Sequence, residues 1–353
     1  MAEIEKTTED VWGKEVRKLV ACGRNAGIGA GTEDGDLPRA AGNKYAQFVT
    51  TLKNLYGVIE ISDKAIRASE NNSGAFVSLL NAEMEGLIKS STYNFGRMLF
   101  GDGTGTLATV SSNIGVIMEV DNAQNLYEGM IVDIHDNMNT LVVEGAVIKK
   151  IYGNSIEFYD LPLEAPAGSK IVLQGSFGNE LTGLKAIFTY SPVLYGLKRD
   201  DYSCLSPTVQ NSVGEITEEK IQTMLDTIEE KSGSQPNFII CSWGVRRALM
   251  KLFSQNKRVI DTVELKGGFK AMSYNGIPIV VDRFCPSGTM YLLNTNHFSL
   301  HQLCDWEWLQ ADDGSVLKQV AGKPVYTATL VKYAELMCSC PCGQGMLSGI
   351  TEG

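Results

Sequence analysis

The chain has 353 residues, of which 44% are hydrophobic and 20% are charged, and its formal net charge at pH 7 is −10. This length exceeds what one compact core of ordinary size holds, so we expect two or three domains. The negative charge argues against a protein whose main task is gripping phosphates, because basic residues supply most of the affinity for nucleic acids. No apolar run is long enough for a transmembrane helix and the first residues show no secretory signal, so we expect cytoplasmic synthesis without membrane association.

The N-terminal part is poor in bulky apolar residues up to about Lys44 and contains the glycine-rich run Gly29–Pro38. Turn residues of this kind form neither a core helix nor a regular strand. Extended stretches flank the run, at Trp12–Val20 and Tyr45–Ile61. The pattern predicts an arm or hairpin that projects from a body. We expect residues 1–60 to become ordered only against a partner surface, because the segment has too little apolar surface to fold alone.

A long helix is predicted next, with Asn72 or Ser73 as its cap. Apolar residues recur at helical spacing, namely Phe76, Leu80, Met84, Leu87, Phe95 and Met98. The pattern stops at Gly101-Asp102-Gly103. It indicates about 25 residues, or about 38 Å, which suits a spine along which other elements pack.

Short strands separated by turn residues are predicted from about Thr106 to Gly178. The strand patterns cover Ile114–Val120, Met130–His135, Leu141–Ile151, Ser155–Tyr159 and Lys170–Gln174. About five strands in this length favour a small β-barrel or sandwich with protected edges. We interpret it as an inserted module.

The remainder alternates helices and strands. Thr217 opens one helix that Gly233 closes, and Ser242 caps a second. Strands are predicted at Asn237–Cys241, Ile277–Val281, Met290–Leu293 and Val325–Met337. This order indicates an α/β domain.

Several phrases in this order resemble the Hong Kong 97-type major capsid proteins of tailed bacteriophages. Gly74-Ala75-Phe76-Val77, Glu83–Leu87 and Asn94–Arg97 are similar to the spine helix of phage coat proteins, and Leu99–Gly105 is similar to its exit. Gly178–Leu184 resembles the return from an inserted β-module, and Asn275–Asp282 resembles a recurring phrase of the axial domain.

The resemblance implies an α+β Hong Kong 97-type capsid fold with an inserted small β-barrel module. Its parts would be an N-terminal arm (1–20), an extended loop (21–60), the spine helix of the peripheral domain (61–105), the β-module (106–178), the rest of the peripheral domain (179–234), the axial domain (235–322), and a C-terminal strand and tail (323–353). It also implies self-assembly into the pentamers and hexamers of an icosahedral shell, with the extended loop lying on a neighbouring subunit.

The partners that the resemblance implies are copies of the same chain, double-stranded DNA contacted non-specifically, and separate scaffolding, portal and decoration proteins. The implied location is the virion, assembled in the host cytoplasm. Candidate contact residues between subunits are Arg39, Lys44, Lys53, Tyr56, Trp243, Arg246 and Arg247. Some relatives cross-link a loop lysine to an asparagine, but no such motif surrounds Lys44 or Lys53.

Candidate chemistry is sparse, and we assign no catalytic, cofactor-binding or metal-binding residue. Gly101–Thr106 follows a predicted helix and precedes strands, whereas a phosphate loop follows a strand and opens a helix. Cys338, Cys340 and Cys342 lack a fourth zinc ligand nearby. We expect the eight cysteines to be reduced, with a disulfide between subunits as an alternative for this cluster. Trp243 is compatible with either a core or an interface.

Two other functions compete with a phage capsid protein. An encapsulin-type nanocompartment uses the same fold to enclose enzyme cargo, and the contents of purified shells distinguish it. A carbohydrate-binding protein or an enzyme would use the β-module as its binding domain, and a monomer with a measurable ligand would favour it. The module is also a candidate site for a decoration protein or a host glycan.

Overall fold

The structure, a computed structural model, describes residues 4–70, 73–159, 165–255, 262–264, 270–311 and 314–353. The chain divides into two compact units. The first contains the residues up to Leu52, together with Leu184–Glu307 and Val331–Gly353. The second contains Lys53–Gly183 and Trp308–Leu330.

Runs of strands are separated by one or two helices along the chain, as expected for an α+β fold. The strands are β1 Glu5–Thr7, β2 Val11–Trp12, β3 Glu15–Ala21, β4 Tyr45–Thr51, β5 Lys53–Ser62, β6 Thr106–Ile114, β7 Ile117–Val120, β8 Ile131–His135, β9 Leu141–Tyr152, β10 Ser155–Phe158, β11 Lys170–Leu173, β12 Val193–Leu194, β13 Leu197–Lys198, β14 Thr208–Gln210, β15 Phe238–Cys241, β16 Thr262–Glu264, β17 Lys270–Tyr274, β18 Ile277–Val281, β19 Met290–Leu293, β20 Phe298–Trp308, β21 Lys318–Gln319, β22 Val325–Cys338 and β23 Gly345–Leu347. The helices are α1 Asp63–Glu70, α2 Ser73–Met98, α3 Leu184–Phe188, α4 Glu218–Ser232 and α5 Trp243–Gln255.

The larger sheet of the first unit has, among the described residues, the strand order β14-β23-β19-β15-β18-β17-β16. β15 is parallel to β18 and antiparallel to β19, so Ile240 lies between Val280 and Tyr291. The two helices α4 and α5 share one buried core with this sheet. Its fully buried side chains include Ile221, Ile228, Ile239, Val245, Leu249 and Leu292.

Both helices begin at the residues that the sequence predicts. Thr217 Oγ1 accepts a hydrogen bond from the backbone N–H of Lys220 at 3.3 Å. Ser242 Oγ accepts from the backbone N–H of Val245 at 3.4 Å. α4 is followed by Gly233 at φ 71°, a left-handed conformation that glycine adopts without strain.

The N-terminal hairpin folds onto its own subunit. β3 and β4 pair in antiparallel register from Glu15 opposite Thr51 to Ala21 opposite Tyr45, and β2 adds a third strand. The inward face packs in one core of Val16, Val20, Ala46, Phe48, Leu52, Leu194, Tyr195, Leu205 and Met337. The prediction that residues 1–60 become ordered only on neighbouring copies is therefore wrong for this hairpin. The side chains that cover it come from much later in the chain, which local composition does not reveal.

Residues 5–9 are also held by their own subunit. β1 runs parallel to β20, with Glu5 opposite Ser299. Lys6 Nζ lies 2.6 Å from an Asp305 carboxylate oxygen. The buried His301 places its Nδ1 3.0 Å from the backbone oxygen of Glu9. Residues 5–7 therefore form a strand of the first unit.

In the second unit, the spine helix α2 lies beside β5. Its 26 residues agree with the predicted length, although Asn72, one of the two predicted caps, lies outside the described residues. Gly57 of β5 meets Leu87 of α2, since a Cβ at Gly57 would lie 3.0 Å from Leu87 Cδ1. Glycine at this position therefore allows the strand and the helix to approach closely. The short helix α1 was not predicted.

Between Thr106 and Leu173 the strands close into a barrel in the order β10-β7-β6-β11-β8-β9. Its interior contains Val132, Ile134, Ile148, Ile156 and Ile171, all fully buried. The predicted strand Ile114–Val120 is instead the end of β6, a turn at Gly115 (φ 66°) and β7. Within the described residues, the barrel therefore has six strands rather than about five. Its description as an inserted module stays a prediction.

A buried ion pair links the end of α2 to the segment that follows the barrel. The Arg97 guanidinium is paired with the Glu180 carboxylate, and both side chains are almost completely buried. Arg97 Nε also donates to Asn94 Oδ1 at 2.9 Å. Nearby, a Cβ at Gly183 would lie 2.4 Å from the Met98 oxygen, so only glycine fits there. These contacts fix the base of the barrel on the spine helix.

Replacing Glu180 with Gln should lower the free energy of unfolding by about 3 kcal/mol, because it leaves the buried Arg97 charge uncompensated. Glu60→Gln, at an exposed position of β5, is the matched control and should change it by less than about 0.5 kcal/mol. Denaturant unfolding of both variants measures the difference. Equal stability of E180Q and E60Q would refute a stabilising role for the pair.

Candidate functional site

The segment between β3 and β4 doubles back on itself and carries no buried side chain from Arg24 to Asn43. Glycines form the close contact between its two limbs: a Cβ at Gly27 would lie 2.9 Å from the Ala41 backbone nitrogen. Ile28 and Leu37 are 84% and 91% exposed. We call residues 23–44 the tip segment. It presents apolar side chains that its own subunit does not cover.

A disulfide bond lies at the base of the tip segment. Cys22 forms a disulfide with Cys204, which corrects the expectation that all cysteines are reduced. Two noncovalent contacts lie beside it: the Cys22 backbone N–H donates to the Lys44 oxygen at 2.8 Å, and Lys44 Nζ lies 5.0 Å from the centre of the Tyr202 ring. Lys44, a candidate contact residue, thus has a partner within its own subunit, whereas Arg39 is exposed on the tip segment.

The outer face of the β2-β3-β4 sheet is exposed and mixes apolar with charged side chains. Trp12 is 71% exposed, and Leu19 and Tyr45 are also exposed on this sheet, beside the Glu15–Arg17 ion pair. The opposite face carries the buried Val16 and Phe48. An exposed face on which large apolar side chains stand among charged ones is suited to a contact with another protein surface.

In the second unit, β5 also has one buried face and one exposed face. Leu55, Ile59 and Ile61 are buried, whereas Tyr56 and Val58 are about 60% exposed. Lys53, at the start of the strand, donates from Nζ to the Gly178 oxygen at 3.2 Å. Of the two candidates on β5, Tyr56 therefore lies on the exposed face, and Lys53 is engaged within its own unit.

The N-terminus of α5 carries the remaining candidates. Trp243 is 51% exposed, which excludes the core alternative, and Arg246 is half-buried. Arg247 is exposed and donates from Nε to the Gly353 oxygen at 2.7 Å. The predicted grouping of an aromatic and two arginines is thus present, with one arginine bound to the C-terminal residues.

Glu352 lies over the start of this helix. Its Oε1 accepts hydrogen bonds from Ser242 Oγ at 2.6 Å and from the Gly288 backbone N–H at 2.7 Å. The Ser242 hydroxyl, the Gly288 amide and the charge of Arg247 lower the pKa of the Glu352 carboxyl below its usual value. A side chain at Gly244 would overlap Glu352, because its Cβ would lie 2.1 Å from Glu352 Cδ.

Part of the sequence and nearly the whole fold are similar to known proteins. Residues 167–316, less than half of the chain, match the family described as SU10 major capsid protein. The capsid asymmetric unit of cyanophage A-1(L) is 12% identical with a TM-score of 0.60, and the match covers 99% of this chain and 91% of that chain. The capsid of a native GTA particle is 10% identical with a TM-score of 0.53, and the match covers 99% of this chain and 89% of that chain. The capsid of the Myoviridae phage XM1 is 9% identical with a TM-score of 0.50, and the match covers 98% of this chain and 90% of that chain. No curated protein sequence matches the chain.

The fold is that of tailed-phage major capsid proteins. The predicted Hong Kong 97-type α+β capsid fold is thereby confirmed over nearly the whole chain. The resemblance to phage capsid proteins is confirmed with it. The family match includes the axial phrase Asn275–Asp282, whereas the spine-helix phrases lie outside the matched residues.

The motifs that suggested other chemistry have local explanations in this capsid fold. Asp102 Oδ1 accepts from the Thr104 backbone N–H at 3.0 Å, so Gly101–Thr106 is a turn after α2. Cys338 ends β22, and a 3-10 turn at Pro341–Gly343 replaces the extended chain assumed for the cysteine cluster. Within the described ranges, no three His, Cys, Asp or Glu side chains are grouped to hold a metal ion. No helix in the described part combines the length and the hydropathy that crossing a bilayer requires.

Sequence reasoning missed several residues that position these surfaces. Arg199 is buried and donates to the backbone oxygens of Leu205, Ala186 and Ile187 at 2.7–2.8 Å. Asp305 bridges Lys6 and the buried Lys332, and the hydrogen bonds from these two lysines hold the pKa of its carboxyl far below the usual range. The partners of Arg199 are backbone oxygens, which no residue type marks, and the lysine partners of Asp305 lie 27 and 299 residues away along the sequence. No local pattern could therefore have identified them.

The Glu352 contact should make the stability of the first unit depend weakly on pH. A carboxyl with a lowered folded pKa contributes stability above its unfolded pKa of about 4.3, and this is lost as the pH falls through the folded pKa. Glu352→Gln should therefore be less stable than wild type at pH 7, by under about 1 kcal/mol because the side chain is exposed.

Denaturant unfolding at pH 7, 5 and 3.5 measures this difference, and Glu230→Gln on the exposed side of α4 is the control. The difference in free energy of unfolding between E352Q and wild type should narrow as the pH falls. A gap that is constant across all three pH values would contradict a contribution from the carboxylate charge.

Proposed function

We propose that this chain is the major capsid protein of a tailed phage, and that its copies assemble into the pentamers and hexamers of an icosahedral shell. The observation that carries the proposal is the capsid fold, which extends over 98–99% of the chain in the three structures compared. The match to the SU10 major capsid protein family supports it independently. On this proposal the protein is structural rather than enzymatic.

The exposed apolar surfaces support assembly from copies of the chain. The tip segment, the outer face of the β2-β3-β4 sheet and the exposed face of β5 all present large apolar side chains to solvent. Covering one such side chain contributes about 1.5–3 kcal/mol. Repeated over every subunit of a closed shell, modest contacts of this size give a stable assembly.

The seven predicted contact residues enter this proposal unequally. Arg39, Tyr56, Trp243 and Arg246 lie on surfaces that a neighbouring subunit could cover. Lys44, Lys53 and Arg247 hold parts of their own subunit in place, and we propose that they act on the interface through that support.

We further propose that the shell encloses double-stranded DNA, which it contacts non-specifically. The net charge of −10 supports a wall that holds DNA without binding it tightly. Separate scaffolding, portal and decoration proteins, and assembly in the host cytoplasm before release in the virion, belong to the same proposal. The domain assignment also stays a proposal: arm 1–20, extended loop 21–60, peripheral domain 61–105 and 179–234, β-module 106–178, axial domain 235–322 and C-terminal region 323–353.

Electron microscopy of the purified recombinant protein tests the proposal. Uniform closed shells or tubular lattices are expected. A compact soluble monomer at every concentration would argue strongly against a shell protein. Shells purified from infected cells should contain nucleic acid, whereas an enzyme cargo would favour the encapsulin-type alternative.

Removing the tip segment should separate folding from assembly. Replacing residues 25–41 with a short Gly-Ser linker keeps Cys22 and Lys44 and removes no buried side chain. The free energy of unfolding should change by less than about 1 kcal/mol. Shell formation, measured by sedimentation and electron microscopy, should be lost.

The control for this deletion replaces Ile117, an exposed apolar residue on the barrel, with Thr. It should assemble like wild type. If the linker variant also assembled normally, the tip segment would not be a contact between subunits.

A further inference from the structure

Cys340 and Cys342 form a thiol pair on either side of Pro341. Their Sγ atoms are 3.6 Å apart, because the 3-10 turn at Pro341–Gly343 folds the chain back. Gly343 leaves room for the pair, since a Cβ there would lie 3.1 Å from Cys340 Sγ and 2.7 Å from Ser234 Cβ. A disulfide bond needs an S–S distance of about 2.0 Å, so closure requires an approach of roughly 1.5 Å.

Hydrogen bonds hold this turn in position. Gln344 Nε2 donates to the Cys340 backbone oxygen at 3.1 Å, and Gln344 Oε1 accepts from the Asn294 backbone N–H at 2.8 Å. Asn294 Nδ2 in turn donates to Ser234 Oγ at 2.9 Å. Gln344 is fully buried, so the contact between the two thiols belongs to a fixed part of the first unit.

Cys342 differs from the other free cysteines, including Cys340, whose pKa is raised by its hydrogen bond with Cys342 and by burial. Cys241, Cys285 and Cys338 are buried, and burial raises the pKa of Cys241 and of Cys338 to about 12. Burial also raises the pKa of the half-buried Cys304.

The pKa of Cys342 is shifted in the opposite direction. The hydrogen bond from the Cys340 thiol and the nearby charge of Lys231 lower its pKa to about 7. The thiolate is the form that attacks disulfides.

We propose that Cys340 and Cys342 form a redox-active dithiol that takes up a disulfide by exchange with low-molecular-weight disulfides. The Cys342 thiolate attacks one sulfur of the small disulfide, forming a mixed disulfide and releasing one thiolate. Cys340 then loses its proton to the released thiolate and attacks Cys342 Sγ, which releases the second small thiol. The two cysteines are oxidised, and one small disulfide is reduced to two thiols.

A formed disulfide lies close to this dithiol. The 3-10 turn Ser203–Leu205, which carries Cys204, packs against the turn Pro341–Gly343. Four of the eight cysteines therefore meet in one region, at the root of the tip segment. The proposal does not depend on assembly, so it can be tested on unassembled and on assembled protein.

The test incubates the full chain in glutathione buffers of increasing oxidised fraction, blocks free thiols with a maleimide and maps the cysteines by mass spectrometry. A Cys340–Cys342 disulfide should form while Cys338 stays a thiol. Cys342→Ser should prevent it, and Cys340→Ser should leave a glutathione adduct on Cys342. At pH 7, Cys342 should react with the maleimide roughly fivefold faster than Cys304.

Cys304→Ser is the matched control and should leave this pairing unchanged. Wild-type protein alone can overturn the proposal, even if a variant fails to fold. Two free thiols at Cys340 and Cys342 in a buffer in which Cys22 and Cys204 are fully paired would do so. So would a glutathione adduct on wild-type Cys342 that Cys340 does not displace.

Discussion

The attachment of the β3–β4 hairpin to its own subunit is the constraint on which the rest of this capsid fold depends. One face of the hairpin is buried in a core with Leu194, Leu205 and Met337, and the Cys22–Cys204 disulfide closes its end. The tip segment beyond the disulfide has no buried side chain. It can therefore reach outward from a fixed base, and its direction is set by the subunit that carries it.

This division is compatible with the proposed shell, because one chain can bury its own cores and still present surfaces for neighbours. The core of the larger sheet, the hairpin core and the barrel interior each bury their own apolar residues. Trp12, Tyr56 and the tip segment are exposed. A contact made from such surfaces must repay the entropy of ordering both partners, so each one is weak. In the proposed shell, weak contacts would allow subunits to dissociate and rebind until a closed lattice forms.

Much of the fold could be predicted because its signals are local. The caps at Thr217 and Ser242, the helical periodicity that ends at Met98 and the alternation in the strands each lie within a short window of sequence. The predictions were wrong where the deciding partner is distant. The hairpin was predicted to lack a core within its own subunit, because the residues that cover it follow about 140 positions or more later. Its disulfide partner is equally distant, since Cys204 lies 182 residues from Cys22.

The same reasoning applies to the candidate contact residues. Their positions in the predicted extended segment pointed to both Lys44 and Tyr56, but only a three-dimensional structure shows that Lys44 lies over the Tyr202 ring, whereas Tyr56 is exposed. The buried pair Arg97 and Glu180 has no sequence signal either, because the barrel separates its two members. The barrel is closed, so it contributes no open strand edge to its surroundings. Arg97, Glu180 and the close-packed Gly183 therefore connect the segment that follows the barrel to the end of the spine helix, although the sequence separates them widely.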